Sequence, residues 1–224
     1  IVRRAEFLSE LRQDTAFAVR HPAVPIKHVP STRKALPWHR WWAFKHSRGD
    51  IVLFLDDDVT LASEALDCLE RSYSVLGART DRRVAGIGFL LFDEEGSPPE
   101  RVPSSLRERW LRISDLRSGS STAGGLTVSL GGLNGHTPIE VDVLPGGAMS
   151  FRREALVATP LDNLVSLYEA GIGRSEDAVL SSYARRLGKL FIVTEPLAIH
   201  RREETRAPTP YAKAGWRLGL TVRT

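Results

Sequence analysis

The stretch Ile51-Val52-Leu53-Phe54-Leu55-Asp56-Asp57-Asp58 decides the reading of this chain. Five apolar residues in a row, rich in β-branched and aromatic types, predict a fully buried strand. Three carboxylates at its C-terminal end cannot be buried unpaired without a large penalty. The C-terminal ends of strands are where open α/β sheets hold their ligands. Clustered carboxylates there are hard oxygen ligands for Mg²⁺ or Mn²⁺, and such a metal often holds a phosphate. From the triplet alone, a solvated acidic turn capping the next helix is the plainer alternative.

Working outward, Trp38 to His46 has a helical pattern that ends at Arg48-Gly49. Thr60 or Ser63 can cap a helix running through Leu76, with Leu66, Leu69 and Tyr73 at helical spacing and Gly77 at its end. Val84 to Phe92 predicts a second buried strand. This alternation argues for an α/β sheet. Further toward the N-terminus, Ala5 to Ala18 predicts a helix. A break follows at His21-Pro22, then a short strand around Ile26-Val29, and Pro30 and Pro37 bracket a loop.

From Asp93 to His136 the pattern weakens. Pro98-Pro99, Gly124-Gly125 and Gly131-Gly132 are loop signals, and Leu126-Val128-Leu130 alternates like an exposed strand. Residues 93–138 read as a loop-rich insertion near the substrate. Ile139 to Leu144 predicts another strand, alternating with Glu140 and Asp142, and Pro145-Gly146-Gly147 turns the chain. Ser175 to Leu187 predicts a helix and Leu190 to Val193 a strand. Leu197-Ala198-Ile199 leads into His200. The tail from Arg201 is basic, with a short helix predicted over Tyr211 to Leu220.

The 224 residues, 42% hydrophobic and 26% charged, fit one sizeable domain with a real core. No run approaches the roughly 20 apolar residues of a membrane span. No signal peptide is visible, and the start at Ile1 reads as a cut. Cys68 is the only cysteine, so no internal disulfide can form and a reducing compartment is expected. Arginine supplies 26 of the 31 basic residues, and the net charge is +4. The basic charge is scattered, which gives nucleic-acid binding little support. It suits phosphorylated substrates or an anionic membrane surface equally well.

Four further groups carry chemistry-bearing residues. In Gly173-Arg174-Ser175-Glu176-Asp177, glycines precede a helix that opens with two acids. Acids in a first turn also stabilise any helix. His200 closes an apolar segment. Gly146 and Gly147 let another molecule approach the backbone. Arg40, ahead of the acidic strand, has the fork to grip a diphosphate.

In this order the pieces resemble the inverting GT-A-type glycosyltransferases of the family 2 group, from about Trp38 to Arg202. That family leads from a helix with an Arg through a Gly turn into an apolar strand ending in Asp-x-Asp. Here these are Arg40, then Ser47-Arg48-Gly49-Asp50, then Ile51 to Asp58. Val141 to Glu154, VDVLPGGAMSFRRE, fits its acceptor-side motif. Glu176-Asp177 matches its helix-opening pair. Arg185 to Gly188 and Pro196 to His200 match its closing run.

The resemblance implies a GT-A-like α/β fold with a mainly parallel central sheet and helices on both faces. It implies a metal-dependent sugar transfer from a nucleotide-sugar donor to a sugar, polysaccharide or lipid-linked acceptor, with inversion. Asp56, Asp57, Asp58 and Arg40 would bind the donor. Asp58 and His200 would hold a divalent metal, Mg²⁺ or Mn²⁺. Asp177 would be the general base, with Glu176 beside it, and Gly146 and Gly147 would line the acceptor pocket. No nucleic-acid partner is expected. The expected location is the cytoplasm, with peripheral attachment to the inner membrane face left open. In that family two βα units hold the nucleotide base ahead of the Asp-x-Asp strand. Only Ile1 to Leu55 precede it here, so the chain reads as a single catalytic domain cut at its N-terminal side.

Two other readings fit some of these residues. Asp56-Asp57-Asp58-Val59-Thr60 fits the Asp-x-Asp-x-Thr of haloacid-dehalogenase-like phosphatases. That motif normally sits on a first strand, and those enzymes need a Lys before the later acidic pair. None occurs between Lys45 and Lys189. A non-catalytic nucleotide-sugar-binding or scaffold domain is the remaining alternative.

Overall fold

The chain divides into two compact units, Ile1–Thr32 and Arg33–Thr224. The computed structural model describes residues 29–31, 35–79, 83–99, 117–121, 128, 130–133, 138–160, 162–163, 165–166 and 176–201. The helices expected over Ala5 to Ala18 and Tyr211 to Leu220 lie outside these residues, as do most of the Ile26-Val29 strand and Leu126.

Among its described residues the second unit contains six strands and four fully described helices. The strands are β1 (Ile51–Leu55), β2 (Val59–Leu61), β3 (Val84–Phe92), β4 (Ile139–Val141), β5 (Ala148–Arg152) and β6 (Lys189–His200). The helices are α1 (Leu36–His46), α2 (Ala65–Arg79), α3 (Arg153–Val157) and α4 (Glu176–Ala184). The sheet runs β1-β5-β3-β6-β2, with β4 also paired to β6.

The expectation of a mainly parallel sheet is corrected. Among the described strands only β3·β6 is parallel; β1·β5, β3·β5, β2·β6 and β4·β6 are antiparallel. Apolar runs report burial on two faces, not strand direction. Parallel neighbours also need crossovers of about a dozen residues or more. β1, β3 and β6 share one direction, and β5 runs against β1 and β3 between them.

The core lies on both faces. Val52, Phe54, Met149, Phe151, Leu190 and Ile192 pack with Phe44 of α1, Ala155 and Leu156 of α3, and Leu180 and Ala184 of α4. On the other face Ile87, Phe89, Phe191 and Val193 pack with Ala65, Leu69 and Tyr73 of α2. The alternation of β6, with Leu190 and Ile192 to one face and Phe191 and Val193 to the other, is the two-residue period of a strand covered on both sides. Burying a side chain such as Phe89 or Phe151 contributes roughly 1.5–3 kcal/mol. β1 is less enclosed than its composition predicts. Val52 and Phe54 are buried, Ile51 and Leu53 are half-buried, and Leu55 is exposed.

Helix boundaries follow local chemistry. α1 has proline in its first positions and stops where the Ser47 hydroxyl donates to the Phe44 carbonyl at 2.8 Å. Thr60 falls in β2 rather than at a helix cap, and α2 continues past Gly77 to Arg79. Tyr73 anchors α2, its hydroxyl 3.0 Å from Ser150 Oγ, which donates in turn to the Ile87 carbonyl. The strand expected over Ile139 to Leu144 ends at Val141. The two apolar segments after Leu187 form one strand, which accommodates exposed Pro196 in a register shift opposite Phe89 and Leu91.

Of the 93–138 segment, Asp93 closes a turn by accepting the Ser97 N–H. The Val128 N–H donates to Ser120 O at 2.8 Å. The Asp142 carboxylate accepts the Ser121 N–H at 2.8 Å and pairs with Arg185 at 2.9 Å. It thereby ties this segment to the end of α4. No helix among the described residues is long and apolar enough to cross a membrane.

Candidate active site

The shared direction of β1 and β6 puts Asp56 and His200 at one edge of the sheet. The start of β5, which runs the other way, reaches the same edge at Gly147. Backbone hydrogen bonds fix these ends. The Asp56 N–H donates to Gly147 O at 3.0 Å, and the Val59 N–H donates to Asp56 O at 3.2 Å. The acidic triplet is thus a tight turn between β1 and β2.

Asp58 and His200 come together, as their places in the motif order imply. Val59 pairs with His200 in the β2·β6 ladder, and the Arg201 N–H donates to Asp58 O at 2.8 Å. The side chains meet with His200 Nε2 3.0 Å from Asp58 Oδ2. Asp57 is exposed at the turn and has no hydrogen-bond or ion-pair partner among the described residues.

Arg40 is 6% exposed and reaches three elements. Its Nη2 donates to Asp56 Oδ1 at 3.1 Å and to Gly146 O at 2.8 Å, and its Nη1 donates to Glu176 Oε1. Glu176 is therefore a counter-ion. Asp177, its neighbour on α4, accepts the Ala178 N–H through Oδ1 at 2.8 Å. Its Oδ2 faces Gly146, where an added Cβ would lie 3.4 Å away. An added Cβ on Gly147 would lie 3.6 Å from Asp56 Oδ2 and 2.9 Å from Leu91 Cδ1. The two glycines thus keep the floor between Asp56 and Asp177 low.

Both carboxyls are harder to ionise than usual. Burial raises the Asp177 pKa above its ordinary 3.8, and the Glu176 charge raises it further; the Ala178 N–H and Arg40 oppose them. The helix N-terminus by itself favours the ionised form, and desolvation outweighs it here. Asp56 is also raised, chiefly by burial, with Arg40 opposing and the Asp58 and Glu176 charges adding.

One positioning contact escaped the sequence reading. The Ser181 hydroxyl, fully buried, accepts the Leu144 N–H at 3.0 Å and seats the Leu144–Gly147 turn against α4. A small polar residue four positions after Asp177, amid Leu180 and Ala184, was the available signal.

Asp58 and His200 offer one carboxylate and one imidazole. Among the described residues no group of three or more His, Cys, Asp or Glu stands ready to hold a metal. Such a pair suits a cation that completes its shell with phosphate oxygens and water, as Mg²⁺ commonly does.

No protein-family model and no curated protein matches the sequence. Among solved structures, the crystal structure of GalNAc-T7 with UDP, GalNAc and Mn²⁺ matches with a TM-score of 0.50 at 17% identity. The match covers 89% of this chain and 36% of that chain, so this chain spans about a third of the length of its structural neighbour. The likeness is one of fold. It shows an α/β arrangement of the broad GT-A type, a mixed central sheet flanked by helices.

Proposed function

We propose that this chain catalyses metal-dependent transfer of a sugar from a nucleotide-sugar donor to an acceptor hydroxyl, with inversion at the anomeric carbon. The observation that carries the reading is the meeting of two separate carboxylate groups at one sheet edge. Asp58 meets His200, and Asp56, at the other end of the same turn, is held by Arg40, while Asp177, without an ion pair among the described residues, stands across the low Gly146-Gly147 floor.

The roles divide by environment. Asp58 and His200 would hold the divalent cation, and Asp56 and Asp57 would face the donor. The cation would neutralise charge on the departing diphosphate. Glu176 is committed to Arg40, which leaves Asp177 Oδ2 as the base. The acceptor oxygen bonds to the anomeric carbon as its proton passes to Asp177. The carbon–oxygen bond to the diphosphate breaks, and its electron pair leaves on the phosphate oxygen. General-base assistance of this kind is worth roughly 10²- to 10⁴-fold. A raised pKa makes Asp177 a better proton acceptor in its ionised form. A structural neighbour solved with UDP and Mn²⁺ supports a nucleotide and a metal as ligands of this fold. The acceptor would be a sugar, polysaccharide or lipid-linked sugar.

The test is calorimetric titration with UDP, GDP and CDP, each with and without Mn²⁺ or Mg²⁺. Binding of one of them that requires the metal is expected. No binding of any of them up to about 1 mM, an affinity near 4 kcal/mol, removes the reading.

A further inference from the structure

Among the described residues Arg40, at 6% exposed, is the charged side chain most withdrawn from solvent. A buried charge is tolerated where it is paired and hydrogen-bonded. Arg40 meets that condition with protein groups alone. Its two terminal nitrogens donate to Asp56 at the end of β1, to the Gly146 carbonyl before β5 and to Glu176 at the start of α4. These partners lie 16, 106 and 136 positions away in the chain. The planar fork of a guanidinium suits several fixed acceptors at once, which a single ammonium does not. With 6% exposure and both terminal nitrogens engaged, the group has little left to offer a bound diphosphate.

We propose that Arg40 is a positioning residue that fixes the Asp56 side of the site relative to Asp177, rather than a ligand of the diphosphate. This role rests on the sugar-transfer reading. It makes Arg40 and Glu176 one unit, with Glu176 acting through the arginine rather than on the acceptor. Ser181 secures the other end of the same turn at Leu144, so the turn is held to α4 directly at Leu144 and through Arg40 at Gly146.

The experiment is a double-mutant cycle of R40Q, E176Q and R40Q/E176Q in the full chain. UDP and GDP with Mn²⁺ serve as binding probes, and hydrolysis of UDP-N-acetylgalactosamine, UDP-glucose and GDP-mannose gives turnover. R40Q should bind the nucleoside diphosphate within about threefold of the parent while turnover falls roughly 10²-fold. The double variant should be no slower than R40Q alone, because residues acting as a unit are not additive. If R40Q does not fold, R40K should show the same split with a smaller loss. Weakening of nucleoside diphosphate binding by about thirtyfold or more, or losses that multiply in the double variant, overturns the positioning role alone. A parent protein that binds no nucleoside diphosphate overturns the sugar-transfer reading and this role with it.

Discussion

His200 Nε2 lies 3.0 Å from Asp58 Oδ2, although 142 positions separate the two residues. The backbone ladder that pairs Val59 with His200 sets this meeting, not the side chains' attraction. Replacing His200 by Ala should therefore leave β6 in place and weaken Mn²⁺-dependent nucleoside diphosphate binding by about tenfold or more. Asp58→Asn should act in the same direction. Calorimetry with and without Mn²⁺ checks both, and a Mn²⁺-dependent gain in binding that is unchanged in both variants removes the pair from the metal role.

Asp177→Asn should lower turnover by roughly 10²-fold or more with donor binding nearly intact. The sign of its effect on stability follows from the raised folded-state pKa. Stability from such a group is fully present below the unfolded value, ordinarily 3.8, and is lost as pH rises through the folded value. An uncharged Asn avoids that loss. The variant should melt higher than the parent at neutral pH, and the advantage should shrink as the solution is acidified toward the ordinary carboxylate range. Thermal unfolding across pH measures it, and equal melting temperatures at neutral pH contradict the burial of this charge.

Glycines in this fold divide into removable and required ones. A Cβ on Gly188 would run into the Arg83 carbonyl oxygen, which is held by the Lys189 N–H at 2.7 Å. Backbone must then move, so Gly188→Ala should destabilise by about 1–3 kcal/mol or more. A Cβ on Gly77, in the last turn of α2, meets nothing within 4 Å. Gly77→Ala should stabilise by about 0.5–1 kcal/mol. Urea midpoints for the two variants, moving in opposite directions, are the expected result.

Tyr73→Phe separates packing from chemistry. The phenol, buried against Ser150 and pushed up to about 12, is a structural donor on the face away from Arg40. Its loss should cost about 0.5–1.5 kcal/mol in urea unfolding. Turnover of the folded variant should match the parent, and a marked drop would tie the α2 face to the reaction.

The sequence reading reached the strand at Ile51–Leu55, the strand at Val84–Phe92 and the helix bearing Glu176 and Asp177, because each carries a long or strongly marked pattern. It missed β2, whose three residues are too few to display a period. Strand direction was misread because a two-sided apolar run looks alike in either orientation. Pro196 split β6 on paper, yet the bulge exposes it. The Asp58–His200 meeting was legible through motif order. The Arg40–Glu176 pair was not, since nothing local distinguishes one arginine among 26 as buried. The Asp177 shift escaped for a similar reason: desolvation depends on what packs around the carboxyl, and the sequence displays only its neighbours on the helix.

The turn at Asp56–Val59 has a thermodynamic reach beyond its four residues. Because the β2·β6 ladder already aligns Asp58 with His200, a cation held there as proposed would not need to gather its protein ligands from a disordered ensemble. The ordering entropy is settled when the sheet forms, so more of the intrinsic contact energy would remain visible as affinity. The same linkage runs backward. An occupant that prefers the folded chain raises its melting temperature in proportion to the logarithm of its concentration, so the edge of this sheet doubles as a thermometer for whatever it holds.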